Sequence, residues 1–570
     1  MSKVFTEKSS VILMLLLVLV TGKSFANEVI KVSDNFYHID DKKRIIVVNQ
    51  KINNENSGLN EYKSKILLDK TYELGEPTNY FDQTKSYIVK FDNVSYTLYF
   101  TELPIININT RNTIVDAPSV FADFSISETN GNVSNYAVGI EYRGGTSQSR
   151  PKKSYELSFL TDTLSAASRD VSFLGMRNDN KWNLQALYNE PLRTRSKVSN
   201  ELWLDMHSLY YKDKEPEAKC GISMAYTEVF VNNEYKGVYA LSERVDRKQL
   251  KLKKYSNSIT GELYKGSYWD KPVVYSGLYD FNNSKLDWGG FEYKHPDEKT
   301  DWSNIYSFVD FVINSDDQKF NEEYAKKFNI DNAVDYFILL NLLRAGDNTG
   351  KNLYIAKYKV GEPYYYVPWD LDGVFGTDWT GGNSSYTEDI LSNGFYDRLL
   401  KDRSATGFCS KLATRWRELR GSVITEEYIM AKFKRDNEYL KNSNAYEREM
   451  IAWDEYTYKD SGMLYIQVWL KNRLAYLDKT FGQYESVLSA KTSQNDLLKI
   501  YPNPASSYLL VDCGSQSYEL CMQDINGRVV KAYTLTGREN TVDVSDMPKG
   551  MYIATLKNNK ETIKKKVILR

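Results

Sequence analysis

Cysteine and histidine are scarce in this chain of 570 residues, which contains four cysteines and three histidines. No two cysteines have the CxxC spacing of a structural zinc site, so we do not expect a zinc-stabilised fold. Cys513 and Cys521 are eight residues apart, a spacing that fits either a bridge between neighbouring strands or two reduced thiols. His207 and His295 lie far apart and no nucleophile-elbow motif is present, so a hydrolase triad has little support.

The chain also lacks an excess of either charge. It contains 74 Lys and Arg residues and 75 Asp and Glu residues, which gives a formal net charge of -1. The chain therefore has no overall field that attracts nucleic acid, and any polyanion site must be a local basic cluster. The 31 glycines and 13 prolines are too few for a collagen-like or low-complexity chain. With 42% hydrophobic and 26% charged residues the composition is globular, and the length predicts several domains.

Long apolar runs are absent except near the N-terminus. There, Lys3 and Lys8 precede the apolar residues 11–20, and residues 24–26 (Ser-Phe-Ala) follow with small side chains in the A-x-A pattern. This order predicts a secretory signal peptide over residues 1–26. The apolar run is shorter than the ~20 residues of a membrane span, which makes a membrane anchor the weaker interpretation. We therefore expect an exported chain with no transmembrane segment after cleavage.

The pattern of apolar and polar residues along the chain predicts an α+β protein with several domains. Residues 27–102 alternate apolar and polar side chains in short runs, as in a small β-rich region. Residues 103–483 mix helical and strand periodicity, which is typical of one large α+β domain. A polar linker at residues 484–494 leads to short strands separated by turn signals, so residues 495–570 are predicted to form a β-sandwich.

Two motifs in the central domain carry the chemistry. Asp347 and Asn352 follow a predicted helix, and four residues separate them. Residues 369–372 (Trp-Asp-Leu-Asp) follow a predicted strand, and Asp370 lies 23 residues after Asp347. In a phosphotransferase, one aspartate accepts the proton of the substrate hydroxyl, while an asparagine and a second aspartate provide hard oxygen ligands for magnesium. The spacing predicts Asp347 in the first role and Asn352 and Asp370 in the second, with Asp372 as a further ligand candidate.

These motifs leave other interpretations open. The same carboxylates can serve as turn and capping groups with no catalytic role. Asp370 and Asp372 also match the D-x-D of a metal-dependent glycosyltransferase, which holds a nucleotide-sugar diphosphate through manganese. A glycosyltransferase therefore stays as an alternative class of enzyme.

A basic, glycine-containing stretch lies upstream. Arg143 precedes a run of small residues at 144–147 (Gly-Gly-Thr-Ser), and Lys152 and Lys153 lead into the next predicted strand. Small residues let backbone N–H groups approach phosphate oxygens, and a cationic side chain can reach the same oxygens. Adjacent residues of a strand point to opposite faces, so the sequence does not decide which lysine faces inward. The pattern also fits an ordinary hairpin with exposed lysines, and it is neither a P-loop nor a G-x-G-x-x-G loop.

In their order along the chain, these stretches resemble the spore-coat protein H (CotH) family of atypical protein kinases over roughly residues 103–480. The resemblance implies a kinase-like fold and, in active members, transfer of phosphate from ATP to protein Ser or Thr with Mg²⁺. The matching motifs lie at residues 103–106, 142–147, 151–155, 182–184, 228–239, 243–246, 347–352 and 369–372.

The family resemblance also assigns roles. It implies that Asp347 is the base, that Asn352 and Asp370 bind the metal, and that one of the two upstream lysines, with Arg143 beside it, contacts phosphate. Glu243 becomes the candidate ion-pair partner of that lysine. At Gly145 and Ser196 the chain departs from the asparagines of many relatives, but neither departure touches the proposed metal ligands.

The C-terminal part carries a second resemblance. Residues 500–505, 524–530 and 544–552 contain, in order, three motifs that resemble the C-terminal sorting domain of cargo of the Bacteroidetes type IX secretion system. The resemblance covers roughly residues 495–570 and implies passage through the outer membrane; the alternative is a plain carbohydrate-binding or spacer sandwich. We expect the core of this sandwich to consist of Leu509, Val511, Leu520, Val529, Val542, Tyr552 and Ile553.

Together these patterns predict an exported, ATP- and magnesium-dependent atypical protein kinase with a sorting domain. The expected partners are a protein phosphoacceptor of unknown identity and the type IX secretion machinery, with no nucleic acid. The expected location is the cell surface or the medium, reached through the periplasm and the outer membrane. The alternative from another functional class is a kinase-like surface adhesin or assembly protein whose site no longer turns over.

Overall fold

The computed structural model describes residues 29–52, 62–164, 166–484, 498–513, 516–559 and 562–570. The predicted signal peptide and residues 485–494 of the predicted linker lie outside the described residues. The chain is mixed α+β, as predicted, and divides into two compact units. The first unit contains the residues up to 395 together with 419–474, and the second contains 396–418 together with those from 475 onward. Among the described helices, none is both long and apolar enough to cross a bilayer.

The first unit begins with a seven-stranded sheet of order β1-β4-β5-β6-β7-β3-β2. All four residues of its strand Ile45–Val48 are buried. Ile46 and Val48 face the core of this sheet, while Ile45 and Val47 pack against residues of the next sheet, among them Phe230. Burial on both faces explains why the strand is an unbroken apolar run. The strands are β1 Val29–Lys31, β2 Tyr37–Asp40, β3 Ile45–Val48, β4 Lys63–Leu67, β5 Thr71–Thr78, β6 Ser86–Phe91 and β7 Val94–Phe100.

The next seven strands close into a barrel of order β10-β11-β12-β14-β13-β8-β9. Its interior is filled by apolar and aromatic side chains, including Phe124, Phe159, Phe173 and Trp182. Closure leaves no unpaired strand edge. The strands are β8 Ile105–Asn109, β9 Val120–Ser127, β10 Val133–Arg143, β11 Ser154–Leu160, β12 Lys181–Gln185, β13 Met224–Val231 and β14 Glu234–Ser242.

A five-stranded sheet of order β16-β17-β15-β18-β19 follows the barrel. Residues 358–363 connect its last two strands, and the second of these is the strand predicted just before residues 369–372. The other three were not predicted, because their segments are short and interrupted by glycine and polar residues. The strands are β15 Glu262–Gly266, β16 Asp287–Trp288, β17 Phe291–His295, β18 Leu353–Lys357 and β19 Tyr364–Pro368.

Helix Ile330–Leu343 is buried along nearly its whole length, and its buried polar residues Asn332 and Asp335 form hydrogen bonds, Asn332 to Tyr366 O and Asp335 with His207. The Asn329 side chain caps its first turn by accepting a hydrogen bond from Asn332 N, and Arg344 ends it in a left-handed conformation. The chain turns sharply there, three residues before Asp347. The helices are α1 Arg195–Met206, α2 Arg247–Leu250, α3 Ser303–Asn314, α4 Asp317–Lys327, α5 Ile330–Leu343, α6 Gly394–Leu399, α7 Phe408–Arg420, α8 Glu426–Asn442, α9 Ala445–Ala452 and α10 Ser461–Gly482.

In the second unit, residues from 498 form two sheets, β20-β21-β24 and β23-β22-β25-β26, around a core of their own. Five of the seven core residues predicted there are buried, but Val529 is 50% exposed and Ile553 faces outward. Ile553 cannot share the inward face of its strand with Tyr552, because neighbouring side chains alternate. The strands are β20 Lys499–Tyr501, β21 Tyr508–Asp512, β22 Tyr518–Gln523, β23 Val529–Leu535, β24 Glu539–Asp543, β25 Gly550–Lys557 and β26 Thr562–Leu569.

The two cysteines of this sandwich are free thiols. Cys513 is buried in the core, whereas Cys521 alternates with the inward-facing Leu520 and Met522 along β22. The two side chains therefore lie on opposite sides of the sheet that contains β22. The sequence allows either a disulfide or two reduced thiols, and the structure has the reduced thiols.

A buried ionic cluster attaches α9 to the barrel. The Glu449 carboxylate accepts hydrogen bonds from Lys152 Nζ at 2.5 Å, from Val238 N at 2.5 Å and from Arg193 Nη2 at 2.9 Å. The side chains of Lys152, Arg193 and Glu449 are all 0% exposed. A Cβ atom at Gly237 would lie 2.2 Å from the carboxylate, so this position requires glycine. Three desolvated charges thus hold the segment that leads into β11, the segment before α1, the β13–β14 hairpin and α9 together.

Replacing Glu449 with glutamine is expected to destabilise the first unit strongly. The change leaves two buried cations without a carboxylate, which typically costs about 3–5 kcal/mol. Urea unfolding followed by circular dichroism measures the loss. The matched control is Glu438→Gln on α8, which removes the same charge from an exposed pair with Lys434 and should change stability little. Equal stability of both variants would contradict the role of the cluster.

The contact between the N-terminal sheet and the barrel predicts a pH dependence. His38 on β2 lies 5.2 Å from the ring of Phe230, and burial lowers the pKa of His38 from 6.5 to about 4. Between these values the unfolded chain binds a proton that the folded chain does not. The contribution of His38 is therefore intact above pH 6.5 and falls as the pH drops toward 4, by at most about 1.4 kcal/mol per pH unit.

The variant His38→Phe keeps an aromatic ring against Phe230 and removes the titrating group. Its free energy of unfolding should fall less between pH 7 and pH 5 than that of the natural chain. Denaturant titrations at both pH values measure the difference. Identical pH dependence in the two chains would show that His38 does not resist protonation in the folded state.

Candidate functional site

A cavity of about 860 Å³ lies between the barrel and the five-stranded sheet of the first unit. Its walls come from β10, β11 and the segment after β12 on the barrel side, and from β15, β17 and β18 on the other. Six of the eight candidate residues from the sequence line it, and Lys153 and Glu243 do not. The six are Arg143, Lys152, Asp347, Asn352, Asp370 and Asp372.

The β18–β19 hairpin brings the two site motifs together. Leu353, the first residue of β18, pairs with Pro368, the last residue of β19. Asn352 and Trp369 therefore flank the open end of the hairpin, and Trp369 N donates a hydrogen bond to Asn352 O at 3.1 Å. Asp370 follows directly. The proximity of Asn352 and Asp370 is thus a consequence of strand register.

Asn352 and Asp370, the two predicted metal ligands, both have left-handed backbone conformations, each with a φ of 55°. Asparagine and aspartate tolerate this region better than other side chains. The buried Asn348 fixes both turns, because its Nδ2 donates to Asn352 O at 2.6 Å and to Trp369 O at 2.8 Å. One amide side chain therefore holds the two segments in place.

Asp347 lies in a short 3₁₀ turn, Gly346–Thr349, just after α5. Its side chain is 34% exposed, and Oδ2 lies 3.4 Å from Lys351 Nζ. Lys351 N also donates to Asp347 O at 2.8 Å, which closes the turn. Asp347 is therefore accessible from the cavity and held by the same loop that carries Asn352.

The three aspartates interact electrostatically. Burial, together with the charges of Asp370 and Asp347, raises the pKa of Asp372 to about 8. Asn189 Nδ2 lies 3.5 Å from Asp372 Oδ2 and donates to Trp379 O at 2.9 Å. The cavity therefore concentrates negative charge at one place, where a bound cation would be stabilised.

Arg143 approaches the same place from the barrel. Its guanidinium lies 5.4 Å from the ring centroid of Trp369. Burial lowers the pKa of Arg143, and the charge of Asp370 offsets part of that shift. The turn that follows Arg143 has a left-handed glycine, Gly144, at φ 103°, where a Cβ atom would lie 2.0 Å from Ser147 Oγ. This tight turn leaves backbone exposed at the cavity wall.

The prediction that Glu243 pairs with one of the two lysines is wrong. Lys152 pairs with Glu449 instead, and its ammonium also donates to Val238 O at 2.6 Å. Glu243 accepts hydrogen bonds from Lys219 Nζ at 2.6 Å and from Ser223 N at 2.8 Å. The partner of Lys152 is 297 residues away in the chain, so no local motif indicates it.

Lys153 turns away from the cavity. Its Nζ donates to Gln148 O at 2.5 Å and to Arg150 O at 2.7 Å, so it stabilises the preceding turn from outside. Lys152 does line the cavity, but its ammonium is already fully engaged. Neither lysine therefore presents a free charge to a ligand in this structure.

Several cavity residues were missed by sequence reasoning. Lys265 on β15 and Glu292 and Lys294 on β17 line the cavity, as does Asn189 before α1. The weak alternation within β15 and β17 was the available signal, but neither segment was recognised as a strand. Without those strands, nothing in the sequence places their side chains near Asp370.

The donor set suits a hard cation held partly by its substrate. Within the described residues, no group of three or more His, Cys, Asp or Glu side chains has the geometry of a metal site. Magnesium, however, usually binds through one or two protein carboxylates together with water and substrate phosphates. Asp370 and Asn352 offer oxygen donors of that kind, and Asp372 lies beside them. The residues therefore fit Mg²⁺ delivered with a polyphosphate better than a metal held by the protein alone.

Comparisons with known proteins place the chain in a family. The CotH kinase protein family matches residues 140–477, more than half of the chain. The match begins within β10, so β8 and β9 complete the barrel from outside the matched segment. The secretion system C-terminal sorting domain matches residues 499–570, and such a domain indicates secretion to the cell surface or the extracellular space. No match is found among curated proteins.

Both family resemblances predicted from the sequence are thus confirmed, and the match contains all three aspartates and every cavity-lining residue except Asp116. The chain belongs to the CotH kinase protein family, with a secretion-system sorting domain at residues 499–570.

Proposed function

We propose that this protein is an exported atypical kinase that transfers the γ-phosphate of ATP to Ser or Thr of a protein. The observation that carries the proposal is the arrangement of Asp347, Asn352 and Asp370 around one cavity beside a glycine-containing turn. Turn and capping roles alone do not require these side chains to line a common cavity. Family membership supports the same class of reaction.

Asp347 is the proposed base. It accepts the proton of the acceptor hydroxyl as that oxygen bonds to the γ-phosphorus and the bond from phosphorus to the ADP oxygen breaks. Its exposure within the cavity allows an acceptor side chain to reach it. Lys351 Nζ, 3.4 Å from Asp347 Oδ2, holds the carboxylate within the loop that also carries Asn352.

Asn352 and Asp370 are the proposed metal ligands, with Asp372 beside them. Their side-chain oxygens would hold Mg²⁺, which would supply positive charge to stabilise the phosphoryl group during transfer. Asn348 keeps the two ligand-bearing turns together, so the oxygens need no large rearrangement before binding. Positioning and electrostatic stabilisation are the main contributions that phosphoryl transfer needs from a protein.

Two substitutions separate the proposed roles. Asp370→Asn should abolish Mg²⁺-dependent ATP binding and activity together. Asp347→Asn should leave ATP affinity nearly unchanged and reduce turnover by about 10²–10⁴-fold, because the base acts on the acceptor. Titration calorimetry and transfer of labelled phosphate to a protein mixture measure the two effects. Asp460→Asn, an exposed carboxylate outside the cavity, is the control.

The outcomes distinguish the functional classes. Equal loss of ATP affinity in both variants would contradict the division of roles. A natural chain that binds no ATP and transfers no phosphate would contradict the kinase proposal and leave the surface-adhesin alternative. Transfer from a nucleotide sugar with Mn²⁺ would instead indicate the D-x-D interpretation of Asp370 and Asp372.

The sorting domain supports a proposal about export. We infer that residues 499–570 direct the chain through the periplasm and across the outer membrane by the type IX machinery. None of the described residues in this range lines the cavity. Deletion of residues 495–570 should therefore leave phosphate transfer in vitro unchanged and retain the protein in the periplasm of its host.

Cell fractionation and immunoblotting measure this retention. The control is Tyr508→Ser, which alters a 50% exposed side chain on β21 outside the three sorting motifs and should not affect the core of the sandwich. Normal export of the truncated chain would contradict the sorting role. Loss of phosphate transfer by a folded, truncated chain would mean that the domain contributes to catalysis.

A further inference from the structure

Lys265 occupies a defined position on the wall of the cavity. On β15 it pairs with Glu292 of β17 on one side and with Tyr354 of β18 on the other. Paired residues of neighbouring strands share a face, and all three side chains line the cavity. Strand register therefore fixes the direction of Lys265.

The strand that carries Lys265 touches the loop of the proposed metal ligand. Asn352 N donates a hydrogen bond to Gly266 O at 2.9 Å. A Cβ atom at Gly266 would lie 2.8 Å from Gly350 O, so the two backbones approach closely because this residue is glycine. Lys265 is thus one residue from a backbone contact with the loop that contains Asp347 and Asn352.

The ammonium of Lys265 has no hydrogen-bond or ion-pair partner among the residues that the structure describes. Its neighbour Glu292 is already engaged, because it pairs with Lys294 and accepts a hydrogen bond from Ser267 Oγ at 3.1 Å. Lys152, by contrast, is neutralised by Glu449. Lys152 and Lys265, which line the cavity from opposite walls, therefore differ in whether their charge is available.

Arg143 presents a second available cation from the opposite wall. Across the described ranges its guanidinium has no carboxylate within ion-pair distance, and its closest recorded partner is the ring of Trp369. Both Arg143 and Lys265 interact electrostatically with Asp370. Two unpaired cations on either side of a proposed metal ligand suit a ligand that brings several negative charges and a cation of its own.

We propose that Lys265 and Arg143 together bind the polyphosphate of the nucleotide, from opposite walls of the cavity. Lys152 has a structural role instead, as the ion-pair partner of Glu449. This assignment rests on the proposed function, because it assumes that the cavity takes a nucleoside triphosphate with Mg²⁺. A cation that donates directly to a phosphate oxygen makes a charge-assisted hydrogen bond, the strong class of such bonds. The contribution of Lys265 should therefore depend on the number of phosphates in the ligand.

That dependence gives the experiment. Titration calorimetry with the chain from residue 27 to 570 compares Mg²⁺ complexes of ATP and ADP with AMP. Lys265→Met, which keeps most of the side-chain length and removes the charge, should weaken ATP and ADP binding by about 10- to 100-fold and AMP binding less than threefold. Arg143→Met should have the same pattern. Lys265→Arg, which keeps the cation, should stay within about fivefold of the natural chain.

The control is Lys285→Ala, which removes an exposed lysine outside the cavity and should not alter the affinity for any of the three nucleotides. Unchanged ATP affinity in Lys265→Met would overturn the assignment. Equal weakening of ATP and AMP would also overturn it, because a general disturbance of the cavity does not distinguish phosphates. A natural chain that binds none of the nucleotides would instead overturn the proposed function itself.

Discussion

The carboxylate of Glu449 is the point on which the cavity depends. It neutralises Lys152, at the start of β11, and Arg193, whose guanidinium donates in turn to Tyr188 O at 2.7 Å. The segment held by Arg193 also contains Asn189, which reaches both Asp372 and Trp379 O. A helix far from the catalytic motifs in sequence therefore fixes one wall of the cavity through a chain of direct contacts.

Desolvation separates the basic residues of the cavity into two groups. A fully buried cation needs a carboxylate partner, because the cost of removing it from water is not otherwise offset. Lys152 satisfies that requirement with Glu449, which already neutralises its charge. Arg143 and Lys265 lie at the wall, where water or an anionic ligand can solvate them, and so they can remain unpaired until a ligand arrives.

What the sequence predicts well is local. The motif containing Asp347 and Asn352 and the residues 369–372 lie within one short stretch, and the register of the hairpin between them places Asn352 beside Asp370. The sequence predicts Glu243 instead of Glu449 as the partner of Lys152, because a partner 297 residues away in the chain leaves no periodic signal. Lys265 was missed for a related reason, since its place in the cavity depends on a strand whose pairing joins distant segments.

The barrel shows the same limit at the level of the fold. Strand β8 pairs in parallel with β13, more than a hundred residues later, and no alternation pattern specifies that partner. The closure of the barrel nevertheless determines the position of Arg143 at the end of β10, opposite the five-stranded sheet.

The two proposed metal ligands carry a double constraint. Asn352 and Asp370 must present oxygen to a cation, and both also occupy left-handed backbone regions that most side chains adopt only with strain. Because asparagine and aspartate meet both requirements, a substitution there acts through the backbone and through the ligand at once. Asn348 adds a third requirement, because its side-chain amide donates hydrogen bonds to the carbonyl oxygens of Asn352 and Trp369. The geometry of the site is therefore maintained by the same polar residue types that the proposed metal binding would use, so the same pattern of Asp and Asn in the sequence fits a turn and a metal site equally well.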